Sequence, residues 1–234
     1  MEVIDSVALS LGAAWASGIN LYAALFMLGF MHAGGYVELP PDMQVLADPL
    51  VLAAAGFMYC VEFFADKTPG VDNLWDGLHT FVRIPAGALL AAGAVAEVGP
   101  AAELAGLLIG GGLAAGAHTL KAGSRVMINT SPEPFSNWGA SIGEDLVVIG
   151  GLWAALNHPW LFLVLLVLFL GLLVWLLPKL LRAIVSLFSR LTRWLRGEHP
   201  PPPGEPEPPD VAGSPRESAG PPAEEKRLPP PDGR

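Results

Sequence analysis

The sequence predicts an all-α membrane protein of about six transmembrane helices, and three observations predict it. Hydrophobic residues make up 52% of the chain and charged ones only 15%, too few for an ordinary soluble surface. The apolar residues fall in six stretches near bilayer-spanning length, roughly 6–33, 46–65, 79–98, 101–122, 138–157 and 159–180. All 13 Lys and Arg residues fall in the even-numbered gaps and the tail or at their edges; gaps 34–45, 99–100 and 158 hold none. By the positive-inside rule the basic side is cytoplasmic. The expectation is a multi-pass protein of the plasma (inner) membrane with both termini in the cytoplasm.

The first stretch is longer than a span of ~20 residues needs, and Ser17-Gly18-Ile19-Asn20 interrupts it. Two readings stand: a polar kink packed against its neighbours, or a discontinuous helix whose freed backbone groups line a cavity. The start, with Glu2 and Asp5 but no Lys or Arg, lacks the basic n-region of a cleavable signal, so this helix is expected to stay. Cys60, the lone cysteine, lies among Phe57, Met58 and Tyr59 and reads as packing.

Stretches two to five form two helix hairpins separated by Gly99-Pro100. Their inner connections, 66–78 and 123–137, both carry Pro, Gly, Asn, Trp and acidic residues. Asn73-Leu74-Trp75-Asp76 faintly echoes Ser136-Asn137-Trp138, a weak parallel repeat. Gly106, Gly110, Gly112 and Gly116 on the fourth stretch, with Gly87 and Ala91 on the third, have the small-residue spacing that lets helix backbones approach closely in lipid. The sixth stretch is almost uniformly Leu, Val and Phe, which suits the lipid-facing edge of a bundle, and Pro178 marks its end. Residues 1–180 thus form the transmembrane domain.

Beyond it, 181–197 reads as a basic amphipathic interfacial helix. Arg182, Arg190, Arg193 and Arg196 oppose Ile184, Leu187, Phe188, Leu191 and Leu195, an arrangement that suits anionic lipid headgroups at 182–196. Residues 198–234 hold 13 of the 23 prolines with eight acidic residues, and too little apolar surface to offset the entropy of ordering. This Pro-rich acidic tail is expected to be disordered, a spacer or a docking segment for a cytoplasmic partner. The net charge of −9 carries no basic patch of the kind nucleic acid needs.

Two polar clusters lie within or beside the apolar spans. Glu62 and Asp66 are four apart, and Asp72, Asp76, His79 and Arg83 follow at steps of four, three and four, so each set makes one helical stripe. The second cluster runs through His118, Lys121, Arg125, Asn129, Ser131, Glu133, Ser136, Asn137, Ser141, Glu144 and Asp145. Modest roles suit some of them: Asp72 and Ser136 or Asn137 as helix caps, and Lys67, Lys121 and Arg125 as headgroup anchors. Glu62, Glu144 and Asp145 are harder to place that way. An ionised side chain near the bilayer centre costs about 2.5–3.5 kcal/mol on insertion scales, so it pairs or marks a path.

The candidate polar cavity therefore comprises Glu62, Asp66, Asp72, Asp76, His79, Arg83, His118, Arg125, Asn129, Glu144 and Asp145. It binds a cation or relays protons, or else it is an internal salt-bridge network such as Glu62 or Glu144 with Arg83 and Arg125. No metal-ligand spacing, nucleophile elbow or phosphate loop is present, so no catalytic residue, metal or cofactor is assigned and an enzyme is not expected.

The run Glu62-Phe63-Phe64-Ala65-Asp66-Lys67-Thr68-Pro69-Gly70-Val71-Asp72-Asn73-Leu74-Trp75-Asp76-Gly77-Leu78-His79-Thr80-Phe81-Val82-Arg83-Ile84-Pro85 resembles the signature of a bacterial membrane family, domain of unknown function 4126. Ser17-Gly18-Ile19-Asn20, Ser131-Pro132-Glu133-Pro134-Phe135-Ser136-Asn137 and Glu144-Asp145 add to the likeness, which covers about residues 7–160. It implies an integral membrane protein and transfers no catalytic role. Two functions stand: a small transporter or channel for a cation or small polar solute, or a membrane scaffold recruiting cytoplasmic partners through the amphipathic helix and tail. The small-residue faces also permit a homo-oligomer.

Overall fold

A computed structural model describes residues 2–68, 70–130 and 134–196. The tail and Ser131, Pro132 and Glu133 lie outside the described residues. The chain is all-α: α1 (Val3–Ala33), a short 3₁₀ helix (Pro41–Ala47), α2 (Pro49–Ala65), α3 (Val71–Val95), α4 (Pro100–Ile128), α5 (Pro134–Asn157) and α6 (Pro159–Leu195). Five helices are long and apolar enough to cross a membrane, and six if the 3₁₀ segment and α2, bent by 67°, count as one span. Four of the six α-helices begin with proline, whose missing N–H would have no helical partner at that position anyway. Asp48 caps α2 by accepting from the Leu50 N–H at 2.8 Å.

The bundle buries charge beside an apolar core and leaves many large apolar side chains on its outside. Arg83 and Arg125 are the largest fully buried side chains, while Leu50, Phe57, Phe81, Leu108, Trp160 and Val174 lie exposed, as lipid-facing side chains do. Cys60 is exposed rather than packed. The sequence expectation for α3 and α4 pairing holds: a Cβ on Gly106 would meet the Ala91 carbonyl at 2.8 Å, so this crossing needs a residue without one. Much of α6 is exposed; Phe162 and Leu166 are the side chains it buries most deeply.

Three boundaries differ from the sequence expectation, for one reason. α3 already begins at Val71, α4 runs on to Ile128 and α5 begins at Pro134, because polar residues 71–78, 123–128 and 134–137 are helical. They turn toward one another inside the bundle, so a hydropathy reading mistakes them for solvated loop. Pro178 lies inside α6 and does not end it. Proline removes one N–H, a loss that long apolar helices tolerate.

The largest departure is in α1. It breaks at Asn20 (φ −143°, ψ 95°), and the two halves diverge from that point back toward the same end of the bundle. On the way in, Ser10 donates to the Ala91 carbonyl and Ser17 to the Arg83 carbonyl, so this half runs antiparallel to α3. On the way out, Gly56 of α2 lies against Phe26, and Gly29 against Leu46, whose 3₁₀ helix reaches Gly93 near the far end of α3. Asp5, Val37, Glu38 and residues 155–157 then line one cavity of about 240 Å³. The α1 hairpin therefore enters and leaves at the end of the bundle that holds 34–48, 96–99 and 157–158.

Helices α2 to α6 run from end to end. Leu180 and Ile184 of α6 lie against Gly123, toward the opposite end from Pro159. Val3 and Leu191 consequently lie at opposite ends of the bundle. Hydropathy could not show this, since a re-entrant hairpin of 31 residues is as apolar as a long span.

Single cysteines placed in a Cys60→Ser background at Glu2, Glu38 and Thr68, all exposed, check this path. An impermeant maleimide is expected to label Glu2→Cys and Glu38→Cys from one side of sealed vesicles and Thr68→Cys from the other. Labelling of Glu2→Cys together with Thr68→Cys would restore a straight α1.

Candidate functional site

The helix ends that carry 66–70 and 129–133 bring both sequence clusters into one buried core. Arg83 lies twelve residues into α3, about 18 Å from its start, so the core reaches roughly the middle of a ~30 Å hydrocarbon layer. Each residue is there because its helix presents a polar stripe: Glu62 and Asp66 from α2, Asp72, Asp76 and Arg83 from α3, His118, Lys121 and Arg125 from α4, and Asn137, Ser141, Glu144 and Asp145 from α5.

Lys121 sits at the centre. Its Nζ is 2.7 Å from Asp66 Oδ2, 3.3 Å from Glu62 Oε1, 3.5 Å from Glu144 Oε2 and 3.8 Å from Asp76 Oδ1. Arg83 bridges Glu62 and Asp76, donating to Glu62 Oε1 and, at 2.8 Å, to Asp76 Oδ1. Arg125 grips Glu144 with two parallel bonds, Nη2 to Oε2 at 2.7 Å and Nε to Oε1 at 3.2 Å. It also donates to the Asp66 carbonyl at 2.8 Å and to the Asn137 side chain, tying α2, α4 and α5 together. Such forked, charge-assisted bonds are among the strongest a protein makes. Lys121 and Arg125 are thus buried ion-pair partners and not headgroup anchors.

Lys67, just past α2, is buried as well. It donates to Ser141 Oγ and the Phe63 carbonyl, both at 3.2 Å. Burial draws its ammonium below the usual lysine range, against the opposing pull of Asp145 and Asp66.

Asp72 does not simply cap a helix. Its oxygens accept from Asn129 Nδ2 at 2.8 and 2.9 Å, from Asn137 at 3.4 Å, and from the Gly70 and Asn73 N–H groups, so it ties the two inner connections together. Asn137, fully inside α5, is likewise no cap.

At the far end of the core the tip of α1 closes over it. Asn20 caps the outgoing half-helix by accepting from the Ala23 N–H at 3.0 Å, and donates to Asp145 Oδ1 at 2.9 Å. Asp145, with Tyr59 nearby, sits at a half-helix N-terminus where a negative charge is favoured. A Cβ on Gly18 would collide with the Ala114 carbonyl, so only glycine lets the tip lie this close to α4.

The two histidines have readable tautomers. Arg83 Nη1 can only donate, so His118 Nδ1 accepts from it at 3.3 Å. The Thr80 hydroxyl gives its proton to the Asp76 carbonyl and receives the His118 Nε2 proton at 2.7 Å. His79 donates from Nδ1 to the Trp75 carbonyl at 2.9 Å and meets the Tyr22 hydroxyl at Nε2, 3.1 Å away.

Of the sequence candidates, Glu62, Asp66, Asp76, Arg83, Arg125 and Glu144 form one connected ion-pair network and His118 touches it. Asp72 and Asn129 form an adjoining one. Asp145 and His79 stand at its edge, engaged by α1. Sequence reasoning set Lys121 aside and did not pair Asn20, Tyr22 and Tyr59 with the site. The signals were there: Lys121 falls three after His118 and four before Arg125, and Asn20 is polar inside an apolar stretch. Among the described residues no group of His, Cys, Asp or Glu is spaced to hold a metal ion.

Removing one partner from such a network leaves a charge in a low-dielectric site, which costs about 3–5 kcal/mol. Arg83→Leu should therefore unfold or sharply lower the thermal midpoint of the detergent-solubilised protein. Arg182→Leu, on an exposed face, should change stability by less than about 0.5 kcal/mol and so leave the midpoint nearly where it was. Equal midpoints for the two variants would contradict a tightly paired core.

No curated protein and no solved structure matches the chain. A family model described as "Domain of unknown function (DUF4126)" matches residues 7–179, which include every helix of the charged core. With that match over most of its length, and with the core built from the residues the family's span covers, the chain belongs to the DUF4126 family of membrane proteins.

Proposed function

We propose that this protein is a small membrane carrier or channel for a cation or a small polar solute, with Glu62, Asp66, Glu144 and Asp145 as its binding or proton-coupling groups. One observation carries the reading: buried carboxylates outnumber buried cations. Among the described residues five buried carboxylates, Glu62, Asp66, Asp72, Asp76 and Asp145, with the part-buried Glu144 beside them, accompany four buried cations, Lys67, Arg83, Lys121 and Arg125. A bundle held together for packing alone gains nothing from surplus charge at this depth, where desolvation costs several kcal/mol per ion. The surplus instead suits a site that takes up positive charge from outside.

The α1 hairpin supports the same reading. A discontinuous helix ending at mid-depth opposite a polar core is how transporters expose irregular backbone to a site reached from the other face. Glu144, with 18% of its side chain accessible, is the most exposed member of the network. We place that end in the cytoplasm of a cell whose inner membrane holds the protein, with the α1 hairpin opening outward. Arg182 and Arg190, exposed on α6, then suit anionic headgroups of the cytoplasmic leaflet.

Proteoliposome flux over a panel of monovalent cations and small polar solutes tests the proposal. The intact protein should move at least one of them faster than empty liposomes, and Glu62→Gln and Glu144→Gln should each lower that rate at least tenfold. Flux equal to empty liposomes across the panel would sink transport. Loss of a cytoplasmic partner on deleting 198–234, with folding intact, would favour the scaffold instead.

A further inference from the structure

We propose that the ion-pair network binds one proton, held among Glu62, Asp66 and Asp76, and that this proton is the ion to which transport is coupled. The second half rests on the transport reading above; the first does not.

The charge count locates the proton. Among the described residues the connected network contains four carboxylates, Glu62, Asp66, Asp76 and Glu144, and three cations, Arg83, Lys121 and Arg125. It is short of one positive charge in a place where an uncompensated ion is costly. Glu144 has both oxygens on Arg125. The other three each have one oxygen on Arg83 or Lys121 and a second, buried oxygen without a hydrogen-bond partner: Glu62 Oε2, Asp66 Oδ1 and Asp76 Oδ2. Their residues are 0%, 2% and 1% exposed. The missing charge and the vacant oxygens fall on the same three residues.

The neighbouring groups leave the proton there. Asp72 lies outside the network and needs no cation, since five N–H bonds from α3, Asn129 and Asn137 occupy its oxygens. Asp145 takes a bond from Asn20 and lies near Tyr59 and Lys67. His118 cannot supply the charge, because a second proton would point Nδ1–H at Arg83 Nη1. His79 faces Tyr22 and Trp75 rather than the carboxylates. A metal ion would need several converging donors, and no such set is spaced for one among the described residues. A proton needs a single oxygen. Binding forms one O–H bond on a vacant oxygen; release to water returns the carboxylate, and no other bond changes.

Infrared difference spectroscopy on the intact, detergent-purified protein at neutral pH tests the site directly. Wild type should show the C=O stretch of a protonated carboxyl group, shifting in D₂O. The band should disappear in Glu62→Gln, Asp66→Asn and Asp76→Asn, each of which balances the network without a proton, and persist in Asp145→Asn. Absence of the band from wild type, or its loss only in Asp145→Asn, would overturn the assignment. The wild-type measurement stands even where a variant does not fold. A band without flux would sink the transport reading and leave the proton site. Flux of a solute with no band would do the reverse.

Discussion

Everything in this bundle follows from the cost of placing ionised side chains in a medium that cannot solvate them. Arg83 and Lys121 are buried away from solvent, so each charge must find its partners within the protein. Four helices answer by turning one polar stripe inward at the same end, and lipid-facing Leu, Phe and Val cover the outside. Hydrophobic burial does little to hold such a bundle together, because lipid is as apolar as the core. Close approach of α3 and α4 at Gly106, and the ionic core between α2, α3, α4 and α5, take that role.

Division of charge between the two hairpins makes the arrangement specific. The α2–α3 hairpin supplies Glu62, Asp66, Asp72 and Asp76, while α4 supplies Lys121 and Arg125. Within the hairpins Arg83 meets Glu62 and Asp76, and Arg125 and Lys121 meet Glu144, but Asp66 finds its cations only on α4. Lys121, reaching carboxylates on α2, α3 and α5 at once, fixes the helices' mutual register. The α1 hairpin completes the far side. Its break leaves backbone groups without helical partners, and the contacts at the tip answer two needs: Asn20 caps the new half-helix, and its amide reaches Asp145.

The helix inventory was legible in the sequence because six apolar stretches and the one-sided Lys and Arg distribution are period-independent signals. The polar residues of the site were legible too, since Glu62, Arg83 and Glu144 stand out inside apolar runs. Their pairing was not, because a stripe gives the face of a helix and not which neighbour it meets. Residues 71–78 looked like solvated loop for the same reason: polarity facing a buried partner and polarity facing water read alike. The fold-back of α1 was hidden more deeply. Ser17-Gly18-Ile19-Asn20 marked a weak point, but the angle at Asn20 depends on Asp145 and Ala114, far away in sequence.

The most direct measurement of the central claim is an electron-potential map of the protein in lipid nanodiscs, at a resolution that shows side chains. The account predicts the Lys121 ammonium among the carboxylates of Glu62, Asp66, Asp76 and Glu144, with Arg83 spanning Glu62 and Asp76 at mid-depth. A map in which Lys121 and Arg83 reach out to the headgroups, leaving those carboxylates apart, would contradict it.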